Sequence, residues 1–262
     1  MTARRRNLRF RGPAGQHLAG RLELPAGEPV AYALFAHCFT CTKDLKSAHR
    51  ISHALVERGL AVLRFDFTGI GESEGQFADT NFTTNVADLL AAVAMLREHY
   101  AAPRLLIGHS LGGTAVLAAA AEVPEVRALV TIAAPLTPAR LAEKLRRLAP
   151  DLATAEAARV DVMGRVVTVK RQMLDDFAQH TLAEHIAALP APLLVLHSPQ
   201  DEVLDISHAH RLFDAAPHPK SLVALAGMDH LMLRDEAFGG HVGALIATWA
   251  APYLADTAAP RG

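Results

Sequence analysis

The predicted fold centres on one stretch, Leu105-Leu106-Ile107-Gly108-His109-Ser110-Leu111-Gly112-Gly113. An apolar run typical of a buried strand leads into a serine flanked by glycines, and an alanine-rich helical segment follows at 115–121. A strand that turns abruptly into a helix holds the central serine in a strained conformation with its hydroxyl exposed. The stretch therefore predicts a nucleophile elbow at Ser110, although the five-residue Gly-x-Ser-x-Gly pattern also fits a plain turn.

Strand and helix patterns alternate on both sides of this stretch. Continuous apolar runs, such as 61–63, 128–130 and 193–196, predict strands that are buried on both faces. Helical segments between them predict right-handed crossovers and an α/β fold with a mostly parallel central sheet and helices on both faces. Residues 8–36 instead contain three short strand patterns divided by Gly- and Pro-containing turns, so we expect an antiparallel edge there.

The chain is predicted to form one core that carries an insertion. The alternation lapses over residues 136–190, far longer than a structureless loop normally extends. Apolar residues at helical spacing predict two or three short helices there, which would form a cap. We therefore expect residues 1–135 and 191–254 to form the core, and residues 255–262 to form a flexible tail.

An aspartate and a histidine that come later in the chain complete a predicted catalytic triad with Ser110. Asp201 follows one predicted strand of the core and His230 follows the last one, so both should lie at the carboxyl edge of the sheet beside Ser110. Serine, aspartate and histidine in this chain order accompany a nucleophile elbow. Glu202 and Asp205 remain alternatives for the acid, and any one of 14 histidines is more often a surface or core residue than a base.

Backbone N–H groups are expected to bind the negative charge that develops on an attacked carbonyl. Leu111 begins the helix after Ser110, and Phe39, with Cys38 as second choice, lies in the loop after the third strand. Four apolar cap residues are candidates for an acyl pocket, although such residues also serve in plain packing; they are Met163, Met173, Leu174 and Phe177.

The cap also has an excess of positive charge. Residues 137–173 contain eight basic and four acidic side chains. Such an excess could attract an anionic acyl compound, but it more often forms the solvated faces of amphipathic helices, which is the interpretation we prefer.

Composition argues against several classes of partner. Lysine and arginine (26) nearly balance aspartate and glutamate (27), so neither nucleic acid nor a membrane surface is an expected partner. The charged start of the chain is not followed by the apolar core of an export signal, which predicts a cytoplasmic protein. We expect a small-molecule ester as the substrate and neither a metal ion nor an organic cofactor; the oligomeric state is not indicated.

Three further motifs accompany the elbow, at residues 37–41, 66–73 and 197–201. Together with the elbow they resemble those of the α/β-hydrolases, in the serine esterase and serine aminopeptidase-like branch, over nearly the whole chain. More narrowly, the three motifs resemble the hydrolase half of bacterial fusions with an OsmC-like domain. The resemblance implies a triad of Ser110, Asp201 and His230 that cleaves a carboxylic ester, a thioester or a small amide. The 262 residues contain no OsmC-like half, so we do not expect its peroxide-reducing activity; Cys38 also stands where many such relatives have glycine.

Two other functions compete with ester hydrolysis. Cys38 and Cys41 form a Cys-x-x-Cys pair between a strand and a helix, which is also the setting of thiol redox motifs. A thiol redox protein is the main alternative, although the chain has no second cysteine pair. A non-catalytic relative that uses the same fold for binding is the third possibility.

Overall fold

A computed structural model describes residues 4–255 of the chain. The tail predicted at 255–262 lies, apart from its first residue, outside the described residues. The strands in chain order are β1 (Arg4–Arg11), β2 (His17–Leu24), β3 (Ala31–Ala36), β4 (Leu60–Phe65), β5 (Pro103–His109), β6 (Ala128–Ile132), β7 (Ala157–Val162), β8 (Arg165–Lys170), β9 (Leu193–His197) and β10 (Lys220–Ala224). The α-helices are α1 (Lys46–Val56), α2 (Phe82–His99), α3 (Leu111–Ala119), α4 (Ala139–Leu148), α5 (Arg171–Gln179), α6 (Ala183–Ala187), α7 (Ser207–Ala215) and α8 (Glu236–Leu254).

Eight of these strands form the central sheet, in the order β1-β2-β4-β3-β5-β6-β9-β10. The pairs β1–β2 and β2–β4 are antiparallel, and the remaining pairs are parallel. This confirms the predicted α/β class and the antiparallel edge, while β3 lies inside the sheet between β4 and β5. The carboxyl ends of β3, β5 and β9 therefore reach the same edge, which brings together loops that are distant in sequence.

Apolar side chains cover both faces of the sheet. On one face, α1 and α8 pack against the strands, and on the other face α2, α3 and the cap share one larger cluster. Close approach of α8 to α1 depends on Gly243, because a Cβ there would lie 2.6 Å from the carbonyl oxygen of Ile51. None of the helices in the described range is long and apolar enough to cross a membrane.

The insertion is not the purely helical cap that the apolar spacing predicts. It contains α4, α5 and α6, but β7 and β8 pair as an antiparallel hairpin between them. Val160 and Val162 are buried while their neighbours are exposed or half-buried, which is the period-two alternation of a strand. The two loop residues, Met163 and Gly164, have φ angles of +56° and +81°, as a type I′ hairpin loop requires.

Asp176 of α5 attaches the insertion to the first turn of α2. Its Oδ1 accepts hydrogen bonds from the N–H groups of Phe82 (2.8 Å) and Thr83 (3.2 Å), and the hydroxyl of Thr83 donates to Oδ2 (2.6 Å). A carboxylate here satisfies N–H groups that a helix leaves unpaired and interacts favourably with the helix dipole. Phe177, the next residue, packs its ring against Phe82 at 6.5 Å between centroids, so cap and core share apolar contacts as well.

Candidate active site

Ser110 stands at a sharp turn between β5 and α3. Its φ of 52° and ψ of −122° are unusual for a residue with a side chain. The turn is tight, because a Cβ on Gly108 would lie 2.3 Å from the carbonyl oxygen of Gly112, and a Cβ on Gly112 would lie 2.3 Å from that of Ala36. Glycine at these two positions lets the start of α3 approach β5 and the end of β3.

His230 connects Ser110 to Asp201. Its Nδ1 lies 2.7 Å from Oδ2 of Asp201, and its Nε2 lies 3.2 Å from Oγ of Ser110. The side chains of Asp201 and His230 are 0% and 6% exposed, whereas Ser110 is half-buried. An ionised carboxylate accepts only, so Nδ1 carries the proton and the lone pair of Nε2 faces the serine hydroxyl.

The surroundings of Asp201 favour its charged form. Burial by itself would raise the pKa of Asp201, but the hydrogen bond from His230 and the N–H groups of Leu204 and Val203 hold that pKa below its ordinary value. The two N–H groups donate to Oδ1 at 2.9 Å and 2.8 Å. Asp201 therefore presents a charged carboxylate to His230.

The two rival acids have other partners. Glu202 pairs with Nη2 of Arg234 at 2.8 Å. Asp205 accepts the N–H of Ser207 at 2.8 Å, at the start of α7. Neither carboxylate is hydrogen-bonded to His230, so Asp201 is the acid that the fold brings to it.

Three further histidines lie around this group. Burial lowers the pKa of His109 to about 3 and that of His37 to about 4, and it also lowers the pKa of His197. Each imidazole lies within hydrogen-bond distance of a backbone carbonyl, namely those of His230 (2.7 Å), Cys38 (2.7 Å) and Leu204 (2.8 Å) respectively. Neutral rings in such contacts support the loops around His230 structurally.

Leu111 and Phe39 line the same cavity as Ser110, and Cys38 lies there too. Leu111 is the first residue of α3, whose initial N–H groups have no acceptor within the helix. The ring of Phe39 packs against Phe77 and Phe177, at 5.3 Å and 5.9 Å between centroids. This aromatic contact fixes the loop in which the backbone N–H of Phe39 lies.

The sulfur atoms of Cys38 and Cys41 are bonded to each other in that loop. Their Cα atoms are 5.2 Å apart, and both residues line the cavity. Residues 4–255 thus contain no free cysteine, and the disulfide encloses Phe39 and Thr40 in a small covalent ring.

A buried ion pair, which no sequence pattern indicates, holds the far end of the same loop. Nζ of Lys43 lies 2.7 Å from Oδ2 of Asp66, and the N–H of Lys43 donates to Oδ1, also at 2.7 Å. The turn after β4 packs closely against this carboxylate, because a Cβ on Gly71 would lie 2.3 Å from Oδ2 of Asp66, and a Cβ on Gly69 would lie 2.1 Å from the backbone nitrogen of Phe77.

Ser73 belongs to the same turn and has a structural role. It lies in Gly71-Glu72-Ser73-Glu74-Gly75, which has the same five-residue pattern as the elbow. Its hydroxyl donates to the carbonyl oxygen of Asp66 at 2.6 Å and accepts the N–H of Ala19 at 2.9 Å. The pattern alone therefore does not separate the two serines, whereas the fold does.

Ser110 and His230 open onto a cavity of about 620 Å³. Of the four predicted pocket residues, the structure places only Met163 on its wall. Met173, Leu174 and Phe177 are at most 2% exposed and lie in the hydrophobic core, because α5 packs between α4 and α2.

The sequence patterns did not identify α4 as part of the cavity wall. The spacing of three and four residues between its lining side chains is the signal that could have indicated it. The lining residues of this helix are Arg140, Leu141, Lys144, Arg147 and Leu148.

Within residues 4–255 no group of three or more His, Cys, Asp or Glu side chains could hold a metal ion.

A family model for the serine aminopeptidases S33 matches residues 42–185, more than half of the chain. This chain belongs to the serine aminopeptidase S33 family of α/β-hydrolases. The chain is 43% identical to the esterase domain of a protein from Rhodothermus marinus, over 97% of this chain and 100% of that one, with a TM-score of 0.78.

More distant relatives of this chain include lipases. A monoacylglycerol lipase of Mycolicibacterium smegmatis is 23% identical over 257 residues, which are 86% of this chain and 90% of that protein. Human monoglyceride lipase is 26% identical, over 84% of this chain and 82% of its own. Est1E of Butyrivibrio proteoclasticus, solved with ferulic acid, shares the fold at 21% identity and a TM-score of 0.79, over 94% of this chain and 99% of that one. The esterase domain and the two lipases support ester hydrolysis in the broad sense.

Proposed function

We propose that this hydrolase cleaves carboxylic esters through an acyl-enzyme on Ser110. The observation that carries the proposal is the continuous hydrogen-bonded chain from Ser110 through His230 to the buried Asp201, at 3.2 Å and 2.7 Å. An unassisted serine hydroxyl is a poor nucleophile, and an adjacent base that a third group orients is what activates it. The esterase and lipase relatives agree with this chemistry.

In the proposed reaction, Ser110 attacks the acyl carbonyl while Nε2 of His230 takes its proton. The charged Asp201 keeps the imidazole in its orientation and stabilises the imidazolium. The N–H groups of Leu111 and Phe39, with Cys38 as second choice, bind the oxyanion. His230 then protonates the leaving alcohol, and water activated by the same imidazole hydrolyses the acyl-enzyme. Thioesters and small amides are further candidate substrates for this sequence of steps.

A fluorophosphonate probe tests the nucleophile directly. We expect one covalent adduct on the wild type by intact mass, and none on Ser110→Ala. Ser73→Ala is the matched control, since Ser73 lies in the same five-residue pattern but hydrogen-bonds only to backbone groups in the structure. An adduct on Ser110→Ala, or its loss from Ser73→Ala in a folded sample, would contradict the proposed nucleophile.

The acid is tested by a pair of amide substitutions. Asp201→Asn should lower kcat for 4-nitrophenyl butyrate by about 10³–10⁴-fold, because an amide favours the wrong tautomer of the histidine. Asp205→Asn lies four residues away, outside the triad, and should keep kcat within about twofold. Comparable losses in both variants would show that Asp201 has no special role.

The thiol redox alternative predicts a different pattern. Its support is the Cys38–Cys41 disulfide on the cavity wall. If redox chemistry were the function, the double variant Cys38→Ser/Cys41→Ser would lose all turnover. For a serine hydrolase we expect that variant to retain ester turnover and fluorophosphonate labelling, and hydrolysis of any simple ester also excludes a purely binding relative.

A further inference from the structure

The cavity beside Ser110 has a pronounced excess of positive charge. Four cationic side chains line it, namely Arg140, Lys144, Arg147 and Arg165. Only two lining residues are acidic, Asp44 and Glu202. Three of the four cations belong to α4, spaced by four and three residues, so they lie on one side of that helix.

Both acidic lining residues already have cationic partners outside the cavity lining. Glu202 pairs with Nη2 of Arg234 at 2.8 Å. Asp44 pairs with Arg21, and Nζ of Lys43 lies 3.5 Å from its Oδ2. Their charges therefore do little to neutralise the cations of the cavity wall.

The cations differ in how they are satisfied. Arg140 pairs with Glu143 at 2.9 Å, and Arg165 donates to the carbonyl oxygen of Thr40. For Lys144 and Arg147, by contrast, residues 4–255 supply no carboxylate within 4 Å. Two cations thus line the cavity of the candidate nucleophile with no counter-ion from the described part of the chain, which is the arrangement that attracts an anion.

Apolar side chains lie next to these cations. Leu141 and Leu148 line the cavity from the same helix, and Leu148 is 49% exposed. Met163 from the hairpin loop also lines the cavity and is 52% exposed. An alkyl chain could cover this surface while an anionic group contacts the cations.

We propose that the ester hydrolysed here is an amphiphile that carries a carboxylate or phosphate, which Lys144 and Arg147 bind. The inference rests on the proposed serine hydrolysis and adds the substrate class. From the composition alone we preferred to interpret the basic residues of the cap as solvated faces of helices. The structure reverses that preference for Lys144 and Arg147, because both line the cavity.

Two matched substrate pairs test the proposal and separate the two sources of negative charge. Mono-4-nitrophenyl esters of adipic, suberic and sebacic acid carry a free carboxylate on the acyl chain, and 4-nitrophenyl esters of fatty acids with equal carbon number do not. On the alcohol side, 1-decanoyl-glycerol 3-phosphate is compared with 1-decanoyl-glycerol. We expect the wild type to prefer the charged member of at least one pair by about tenfold or more in kcat/KM, mainly through KM.

Three variants assign the preference to residues. Lys144→Gln/Arg147→Gln should lower the charged-to-neutral ratio of kcat/KM by at least about tenfold, which is about 1.4 kcal/mol, because the variant loses both charge-assisted hydrogen bonds to the anion. Arg147→Lys should retain most of the ratio. Arg146→Gln is the matched control, because Arg146 is on α4 but lies 3.8 Å from Asp175 and does not line the cavity.

Equal kcat/KM within both pairs, or an equal effect of Arg146→Gln and the double variant, would overturn the anionic substrate while ester hydrolysis stands. Absence of fluorophosphonate labelling and of all ester turnover would instead overturn the proposed function. Calorimetry decides anion binding separately: monomethyl suberate or glycerol 3-phosphate, whichever carries the charged group of the preferred substrate, should bind Ser110→Ala at least tenfold more tightly than the same protein with Lys144→Gln/Arg147→Gln. Equal binding would refute the inference.

Discussion

Replacing Ser110 by glycine should give a more stable protein than replacing it by alanine. Both changes remove the hydroxyl, but only glycine relieves the backbone at φ 52° and ψ −122°. A side chain in such a conformation costs about 1–3 kcal/mol. The greater freedom of glycine in the unfolded chain offsets about 0.4–1 kcal/mol. We therefore expect Ser110→Gly to exceed Ser110→Ala by about 1 kcal/mol in the free energy of unfolding.

Urea denaturation of the two variants measures this difference, and in a chain of 262 residues 1 kcal/mol corresponds to about 2–4 °C in Tm. Both variants should be inactive toward esters, so stability is read independently of catalysis. At Ala118, inside α3, glycine should instead destabilise by about 1 kcal/mol. A Ser110→Gly protein no more stable than Ser110→Ala would refute the strain at the elbow.

Three further predictions concern the surroundings of the site. Burial raises the pKa of Asp88 to about 6, so the free energy of unfolding should fall as pH rises from about 4 through 6. Asp88→Asn should flatten this fall in urea denaturation, although its amide replaces only one of the two oxygens that accept hydrogen bonds from Thr68 and Gln16. An unchanged profile would exclude Asp88 as its cause. Gly108→Ala should cost about 3 kcal/mol or more, because its Cβ would lie 2.3 Å from a backbone oxygen, whereas a Cβ at Gly240, inside α8, meets nothing within 4 Å, so Gly240→Ala should gain up to about 1 kcal/mol; equal Tm values would contradict this. Iodoacetamide should add no label before reduction and two labels afterwards, at Cys38 and Cys41, and labelling without reductant would show free thiols.

The sequence predicts the sheet and the site edge well because their constraints are local or set by topology. Two-sided burial requires continuous apolar strands, and the turn at Ser110 requires glycine two residues away on each side. The chain order then brings loops after parallel strands to one edge, where Asp201 and His230 lie beside Ser110. No long-range contact has to be known in advance for this step.

The insertion is less predictable because short apolar patterns fit two periods. Met163, Val166 and Val167 satisfy helical spacing, yet they lie in and beside a hairpin loop that Gly164 permits with its positive φ. Buried residues of α5 cannot be separated from pocket residues either, since both are apolar. Which side of a helix faces a cavity depends on packing between elements that are distant in sequence.

Polar contacts between residues distant in the chain could not be predicted from the sequence either. The pair Lys43–Asp66 spans 23 residues and follows no motif. The bond between Cys38 and Cys41 depends on their separation in space, which a four-residue pattern permits but does not require. The likeness to the hydrolase half of OsmC-like fusions stays a prediction.

The carboxylate of Asp176 has a consequence for recombining such hydrolases. Because the insertion supplies the group that caps a core helix, a graft that trades one lid for another would leave Phe82 and Thr83 with unpaired N–H groups unless the incoming lid brings its own acceptor there. Substrate range can therefore diversify along α4 and the hairpin with little penalty, whereas the segment around Asp176 behaves as part of the scaffold. A chimera should therefore keep the segment around Asp176 together with the core, and exchange only the rest of the insertion.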